Sequence, residues 1–242
     1  MAWESAARGV PVAERATASR EIAATPAPTS RHPFAGMFRH RLVRTFSPHP
    51  PPSWNESGYV STVVNRELVQ RQVAAVADVV AAATDLDAEV WLRGGWAMDF
   101  YLGEVTRDHL DIDWFVWADA MPCLVGELLH RGWTDLAEHP REHQRDIARG
   151  DVEMGFAPLA SAPDGCPAVG GGPWQGERYP KQMLAAAADG WLDGVRCRVI
   201  DPAAQVEIKQ MMPVWVPGRP RRSKDAIDVD RLLRSLNSPR HS

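Results

Sequence analysis

The chain has 242 residues, 45% of them hydrophobic and 24% charged, which suits one domain of fair size or one with an appended helical part. A formal net charge of −4 counts against a nucleic-acid binder held mainly by electrostatics. Three scattered cysteines, Cys123, Cys166 and Cys197, show no CxxC spacing, which indicates neither a disulfide framework nor a zinc site and leaves a reducing, cytoplasmic setting as the default.

Residues 1–57 hold eight prolines, including Pro50-Pro51-Pro52, and seven arginines against four acids. No apolar period runs through them, so they read as a disordered extension. A transit peptide is the functional alternative, since such segments are rich in Arg and Ser. The basic-then-apolar order of a secretory signal is missing. No apolar run in the chain approaches the ~20 residues that span a bilayer, so no membrane partner is expected.

From about Tyr59 the pattern becomes that of a folded domain. Thr62 is placed to cap a helix running to about Thr84, with Val64, Leu68, Val69, Val73, Val76 and Val80 as its apolar stripe. Asp85 and Asp87 end it, and residues 89–93 read as a short strand leading into Gly94-Gly95. Residues 96–102 form a compact helix stopped by Gly103, the residue expected at a helix C-terminus. The central strand covers 111–117, and a helix over 121–131 is followed by Gly132.

Residues 133–136 and 147–156 read as strands, the second interrupted by a turn at Gly150. Residues 163–180 form a long loop whose Gly170-Gly171-Gly172 lacks the Gly-Lys-Ser/Thr ending of a P-loop, so it is expected to be flexible, as a lid would be. Asp193-Gly194 between two apolar runs predicts a hairpin, because both positions favour positive φ. A helix follows from Pro202 through Met212, then a proline-punctuated linker. The last helix starts near Lys224, with Val229, Leu232, Leu233 and Leu236 on one apolar face. This order implies a mixed α/β sheet with the C-terminal helices as an added layer.

The chemistry concentrates between Gly94 and Trp117. Glycine has no Cβ, so backbone N–H groups at Gly94-Gly95 can approach a phosphate, and the helix that follows adds its positive end. Asp111 and Asp113 alternate on a strand and therefore share a face. Adjacent carboxylates call for a cation, and Mg²⁺ binds through one or two carboxylates plus phosphate oxygens. Taken singly, Gly-Gly before a helix also fits a plain turn, and an acidic pair also fits a solvated surface. Together, and with the acids at the head of the apolar run Trp114 to Trp117, they point to a nucleotide. A third acid comes from Asp151 or Glu153, one residue apart; Glu153 lies deeper in its strand and is preferred, while Asp151 could simply cap the turn.

The stretch from Arg93-Gly94-Gly95-Trp96-Ala97-Met98-Asp99 through Gly103 to Thr106-Arg107-Asp108-His109-Leu110-Asp111-Ile112-Asp113 resembles the signature of aminoglycoside 2″-nucleotidyltransferase-like proteins. These belong to the polymerase-β-like nucleotidyltransferase superfamily, with lincosamide nucleotidyltransferases as relatives. The resemblance is looser but collinear over about 60–236, including Glu207-Ile208-Lys209 and Lys224-Asp225 with Asp228, and it leaves out residues 1–57.

It implies an α/β (α+β) fold: a mixed sheet flanked by helices, with a catalytic domain over 58–200 and a C-terminal helical segment over 201–242. It also implies AMP transfer from ATP to a hydroxyl of a small acceptor, an aminoglycoside-like antibiotic first. Asp111, Asp113 and Glu153 would hold Mg²⁺, and Glu153 would act as ligand or general base, although many relatives carry Asp there. Two dications about 4 Å apart would flank the transferring phosphorus.

Gly94, Gly95, Arg107, Lys209 and Lys224 would meet the nucleotide. Arg107 has bracing the loop as its alternative, the two lysines have plain solvation, and His109 and Asp99 have structural roles open to them. Three rivals remain: a toxin-like nucleotidyltransferase acting on tRNA or protein, an inactive nucleotide-binding module, and a phosphatase or glycosyltransferase with a similar acidic pair. The last does not call for the upstream glycine turn. The sequence leaves the oligomeric state open.

Overall fold

The computed structural model describes residues 64–137, 139–215 and 220–238; the extension read over 1–57 and the cap assigned to Thr62 lie outside them. Helix α1 (Arg66–Asp85) is capped by Asn65, whose side chain accepts a hydrogen bond from the Leu68 N–H at 3.2 Å. That satisfies one of the donors a helix start leaves open. Its stripe turns inward at Val69, Val73, Val76 and Val79, all buried.

Strand β1 (Val90–Arg93) runs directly into α2 (Gly94–Leu102), so the glycine pair is the first turn of the helix rather than a loop before it. Gly103 closes α2 at φ 77°, as its sequence position predicts. Strand β2 (Ile112–Trp117) and helix α3 (Met121–His130) follow.

Strand β3 (Thr134–Leu136) precedes β4 (Arg145–Arg149) and β5 (Val152–Ser161). The turn expected at Gly150 therefore divides one apparent strand into an antiparallel hairpin, with Arg149 opposite Val152. The loop read over 163–180 is more ordered than expected. It contains β6 (Pro167–Val169), paired to β5, and a single 3₁₀ turn at Gly172–Trp174. Its glycines serve contact rather than freedom: a Cβ at Gly170 would come within 2.7 Å of the Leu159 backbone, and Gly171 packs on the Glu142 carbonyl.

Helix α4 (Gln182–Ala185), unforeseen because one turn carries no period, leads to β7 (Ala188–Leu192) and β8 (Val195–Val199). Asp193 and Gly194 join these strands with φ of 47° and 79°, the positive pair that a tight hairpin needs. Helix α5 (Pro202–Trp215) carries Pro213 within its last turn, and α6 (Ser223–Asn237) completes the described chain. Only part of the apolar face expected on α6 is used. Leu232 is buried and Val229 packs beside it, whereas Leu233 and Leu236 are about 40% exposed.

The described strands form one mixed sheet in the order β3-β4-β5-β2-β1-β8-β7, with β6 alongside β5. Parallel pairs β2–β5 and β1–β8 alternate with antiparallel β1–β2, β4–β5 and β7–β8. Helices cover both faces. Val76, Trp96, Leu124 and Leu128 from α1, α2 and α3 meet Ile112, Trp114, Val116 and Phe156 on the first face. Met183, Ala204 and Met212, from α4 and α5, meet Trp91, Phe115 and Ala157 on the second. A third cluster, Met98, Val206 and Leu232, joins α2 to α5 and α6. The fold is thus the mixed α/β sheet with C-terminal helices that the order of elements implied. No described helix is long and apolar enough to cross a membrane.

Candidate active site

Strand alternation decides which side chains can meet. Ile112, Trp114 and Val116 belong to the first cluster, so Asp113 and Phe115 point to the second face. Across the parallel ladder Asp113 pairs with Gly155 and Ile112 with Met154. Glu153 stands two residues before Gly155 on β5 and so shares the face of Asp113, while Asp111 lies immediately before β2. Asp111, Asp113 and Glu153 are all half-buried.

The second candidate at the hairpin stands elsewhere. Asp151 is exposed and binds Arg71 of α1 through both oxygens, at 3.0 and 2.7 Å. The Arg71 hydrogen bonds hold its carboxyl below the usual range.

Asp113 is where strand and glycine turn converge. A Cβ on Gly94, whose φ is 75°, would lie 2.8 Å from Asp113 Oδ2. The glycine thus makes room for the carboxylate at the head of α2. The other oxygen, Oδ1, accepts from Arg93 at 3.2 Å, and the Arg93 guanidinium stacks 4.7 Å over the Phe115 ring. Arg93 is the N-cap of α2 and supplies no side-chain cap; a helix end of this kind favours an anion.

Gly95 serves a different neighbour. A Cβ there would overlap the His109 ring and lie 2.7 Å from the Arg107 guanidinium. His109 is buried, with Nε2 2.6 Å from Asp99 and Nδ1 2.8 Å from Arg107. A guanidinium only donates, so Nδ1 accepts and Nε2 carries the proton given to Asp99. Asp99 also accepts from the Thr106 hydroxyl at 2.7 Å and from its N–H at 3.2 Å. His109 and Asp99 therefore hold the loop between α2 and β2, the structural role left open for both.

Arg107 reaches across to α6, where Asp228 is fully buried, and donates to both of its oxygens at 3.2 and 2.8 Å. Lys209 of α5 adds a third contact to Asp228 at 2.9 Å. Burial pushes the Asp228 carboxyl up, but the Arg107 and Lys209 contacts outweigh it and hold the group at about 2. Lys224, at the start of α6, is half-buried beside Arg222, Arg107 and Lys209. Burial first, then these neighbouring cations, lower its pKa, while the adjacent Asp225 charge acts the other way. Among the described residues no carboxylate lies within ion-pair distance of Lys224. Arg107, the near edge of this cationic cluster, thus borders Gly95 as the Asp113 carboxylate borders Gly94.

Asp228 received no role from the sequence. Its signal was a charge four residues after Lys224, beside Val229 and Leu232 on the buried side of the last helix. Arg93 was visible only as the residue before the glycines.

The family model described as aminoglycoside-2″-adenylyltransferase matches residues 75–232. The chain belongs to this family. A 2″-aminoglycoside nucleotidyltransferase of Klebsiella pneumoniae is 48% identical over 42 residues, 17% of this chain and 24% of that protein. A protein of the same name from Escherichia coli matches to the same extent. The match thus spans about a quarter of the length of these curated relatives.

Solved structures share the family's fold over more of the chain. The crystal structure of ANT(2″)-Ia in complex with adenylyl-2″-tobramycin superposes with a TM-score of 0.56 at 23% identity, covering 69% of this chain and 90% of that one. Lincosamide antibiotic adenylyltransferase LnuA, bound to lincomycin, gives 0.51 at 18% identity, over 72% and 98%.

The family implies a divalent metal, and the donor set fits one. Asp111, Asp113 and Glu153 offer only hard oxygens, and the space kept clear at Gly94 opens onto Asp113 Oδ2. Among the described residues no group of three His, Cys, Asp or Glu side chains is placed to hold a metal ion. One or two carboxylates completed by phosphate oxygens is the arrangement Mg²⁺ takes in nucleotide enzymes.

Proposed function

We propose that this protein is a Mg²⁺-dependent nucleotidyltransferase that moves AMP from ATP to a hydroxyl of a small molecule, an aminoglycoside-like antibiotic first. The observation that carries the reading is the Asp113 carboxylate set against Gly94 at an uncapped helix N-terminus. Family membership supports the reaction class. The named relatives and the tobramycin adduct of a structural neighbour support the acceptor.

In this reading Asp111, Asp113 and Glu153 hold the metal, which supplies charge neutralisation at the transferring phosphate when bound. The first-turn N–H groups of α2, at Gly94 and Gly95, take phosphate oxygens. Lys224 meets the outer phosphates, since its charge is not spent on a carboxylate. Arg107 and Lys209, tied to Asp228, keep that cationic cluster fixed and add to its field. Arg93 holds Asp113 in place until the nucleotide arrives. The acceptor oxygen then attacks the α-phosphorus in line and pyrophosphate leaves.

The test is incubation with Mg²⁺ and ATP labelled at the α-phosphate, offering aminoglycosides, other hydroxylated small molecules, tRNA and cell protein side by side. An AMP adduct on an aminoglycoside with stoichiometric pyrophosphate is the expected outcome. Label on tRNA or protein alone would replace the acceptor class. Nucleotide binding without pyrophosphate release from any acceptor would make the protein a binding module.

A further inference from the structure

The ladder that pairs Asp113 with Gly155 continues one strand further. Gly155 pairs with Asp146 of β4, and on the other side Asp113 pairs with Arg93 of β1. One row across the sheet therefore reads Asp146, Gly155, Asp113, Arg93. Paired residues project to the same face, so Asp146 and Asp113 stand on the same side with only a glycine between them.

Asp146 uses the space that glycine leaves. A Cβ on Gly155 would lie 2.9 Å from Asp146 Oδ1 and 2.9 Å from the Gln144 amide. The carboxylate thus leans across the bare strand toward Asp113. Gln144 donates to Asp146 Oδ1 at 2.6 Å, and His139 Nε2 lies 3.6 Å from Oδ2. Both of these residues also line a cavity, together with His143 and Trp174, which packs against the second-face core. An acceptor seated in that cavity would touch the two residues that hold the Asp146 carboxylate. Glu153 lies two residues earlier on the same strand, opposite Ala148 of β4.

We infer that Asp146, leaning over Gly155, is the general base that takes the proton from the acceptor hydroxyl. The inference rests on the nucleotidyl-transfer reading above and leaves Glu153 with the metal. In the step, the acceptor O–H bond breaks and its proton goes to the Asp146 carboxylate. The freed oxygen forms a bond to the α-phosphorus. The bond from that phosphorus to the β-bridging oxygen breaks, and its electron pair leaves with pyrophosphate. His139 and Gln144 are positioning residues that hold the carboxylate in line.

The experiment compares Asp146→Asn, Gly155→Ala, Glu153→Gln and the unaltered protein. It measures turnover with the acceptor identified by adduct screening, Mg²⁺ dependence, melting temperature, and calorimetric binding of a non-hydrolysable ATP analogue with Mg²⁺. General-base removal costs typically ~10²–10⁴-fold in rate. Asp146→Asn should therefore lower kcat by ~10²-fold or more, with analogue affinity, Mg²⁺ dependence and melting unchanged. Gly155→Ala, which displaces the carboxylate without removing it, should lower kcat with analogue affinity retained. Glu153→Gln should instead raise the Mg²⁺ requirement.

Near-normal kcat in either Asp146→Asn or Gly155→Ala overturns the inference. So does a loss of analogue binding in Asp146→Asn that parallels its loss of rate, which would make Asp146 a metal ligand. If the unaltered protein neither binds the analogue nor releases pyrophosphate, the functional reading itself falls. A working enzyme indifferent to Asp146→Asn sinks only the assignment of the base.

Discussion

The two faces of strand β2 differ more than a six-residue strand usually allows. On one face Ile112, Trp114 and Val116 are completely buried along the whole strand. On the other, apolar packing begins only at Phe115, and Asp113 before it keeps 28% of its side chain exposed. The neighbours of Asp113 on that face are Gly155 and Arg93, and Gly94 abuts its carboxylate. One face is filled with apolar side chains, and the other gives way to glycines and charged groups at the end where Asp113 stands. A strand can carry costly charges when its reverse side supplies the packing and its own side is left open to solvent and ligand.

Substitution of adjacent residues breaks that comparison most directly. Trp114→Ala removes a fully buried side chain and should cost ~3–5 kcal/mol of stability, seen as a lower denaturation midpoint. Asp113→Asn should leave the midpoint close to normal yet reduce nucleotidyl transfer by ~10³-fold or more, about 4 kcal/mol of barrier. If Asp113→Asn melted the protein, or kept its rate, the division of labour between the faces would be wrong.

The buried ion cluster gives the next largest effect and a pH signature. Asp228 is held at about 2 against its ordinary 3.8, so its folded-state pKa is depressed. The stability it contributes is present above about pH 4 and is lost as pH falls towards 2, a change of roughly 2 kcal/mol. Asp228→Asn should flatten this acid limb. It also leaves Arg107 and Lys209 without their shared buried carboxylate, a loss of roughly 3 kcal/mol near neutral pH. Denaturant titrations of both proteins from pH 6 to pH 2 check both outcomes.

Much of this was legible because local patterns settle it. The period of α1, the Gly103 stop, the Asp193-Gly194 hairpin and the apolar run of β2 are properties of adjacent residues. The row Asp146–Gly155–Asp113 was not legible. It depends on which strands pair and in what register, and a turn at Gly150 in the sequence does not by itself set Asp146 opposite Gly155. Asp228 was hidden for a related reason: a buried carboxylate is recognisable only once its cations, 19 and 121 residues away in sequence, are brought beside it. The glycines of residues 170–172 were read as freedom, yet their meaning lies in the backbone that packs against them.

Lys224 sharpens the contrast between spent and unspent charge. Lys209, 11% exposed, is bound to Asp228, whereas Lys224 is half-buried among cations with no carboxylate at contact distance among the described residues. Lys224→Met removes a charge that burial and its neighbours disfavour, so melting should not fall. Apparent affinity for ATP should drop about tenfold, the scale of one hydrogen bond to a charged group. Lost stability with unchanged ATP affinity would return Lys224 to a packing role.

The smallest effect belongs to the exposed pair Arg71–Asp151, beside the proposed ligand Glu153. Asp151 and Glu153 differ by one residue, yet Asp151 sits at the hairpin tip with Arg71 and both side chains are about half exposed. An ion pair in that setting is screened and largely offset by the cost of fixing two side chains. Arg71→Ala should therefore leave transfer rate, Mg²⁺ dependence and melting indistinguishable from the unaltered protein. Any change in Mg²⁺ dependence would mean that Asp151, once released from Arg71, reaches the metal, and the choice of Glu153 would have to be reversed.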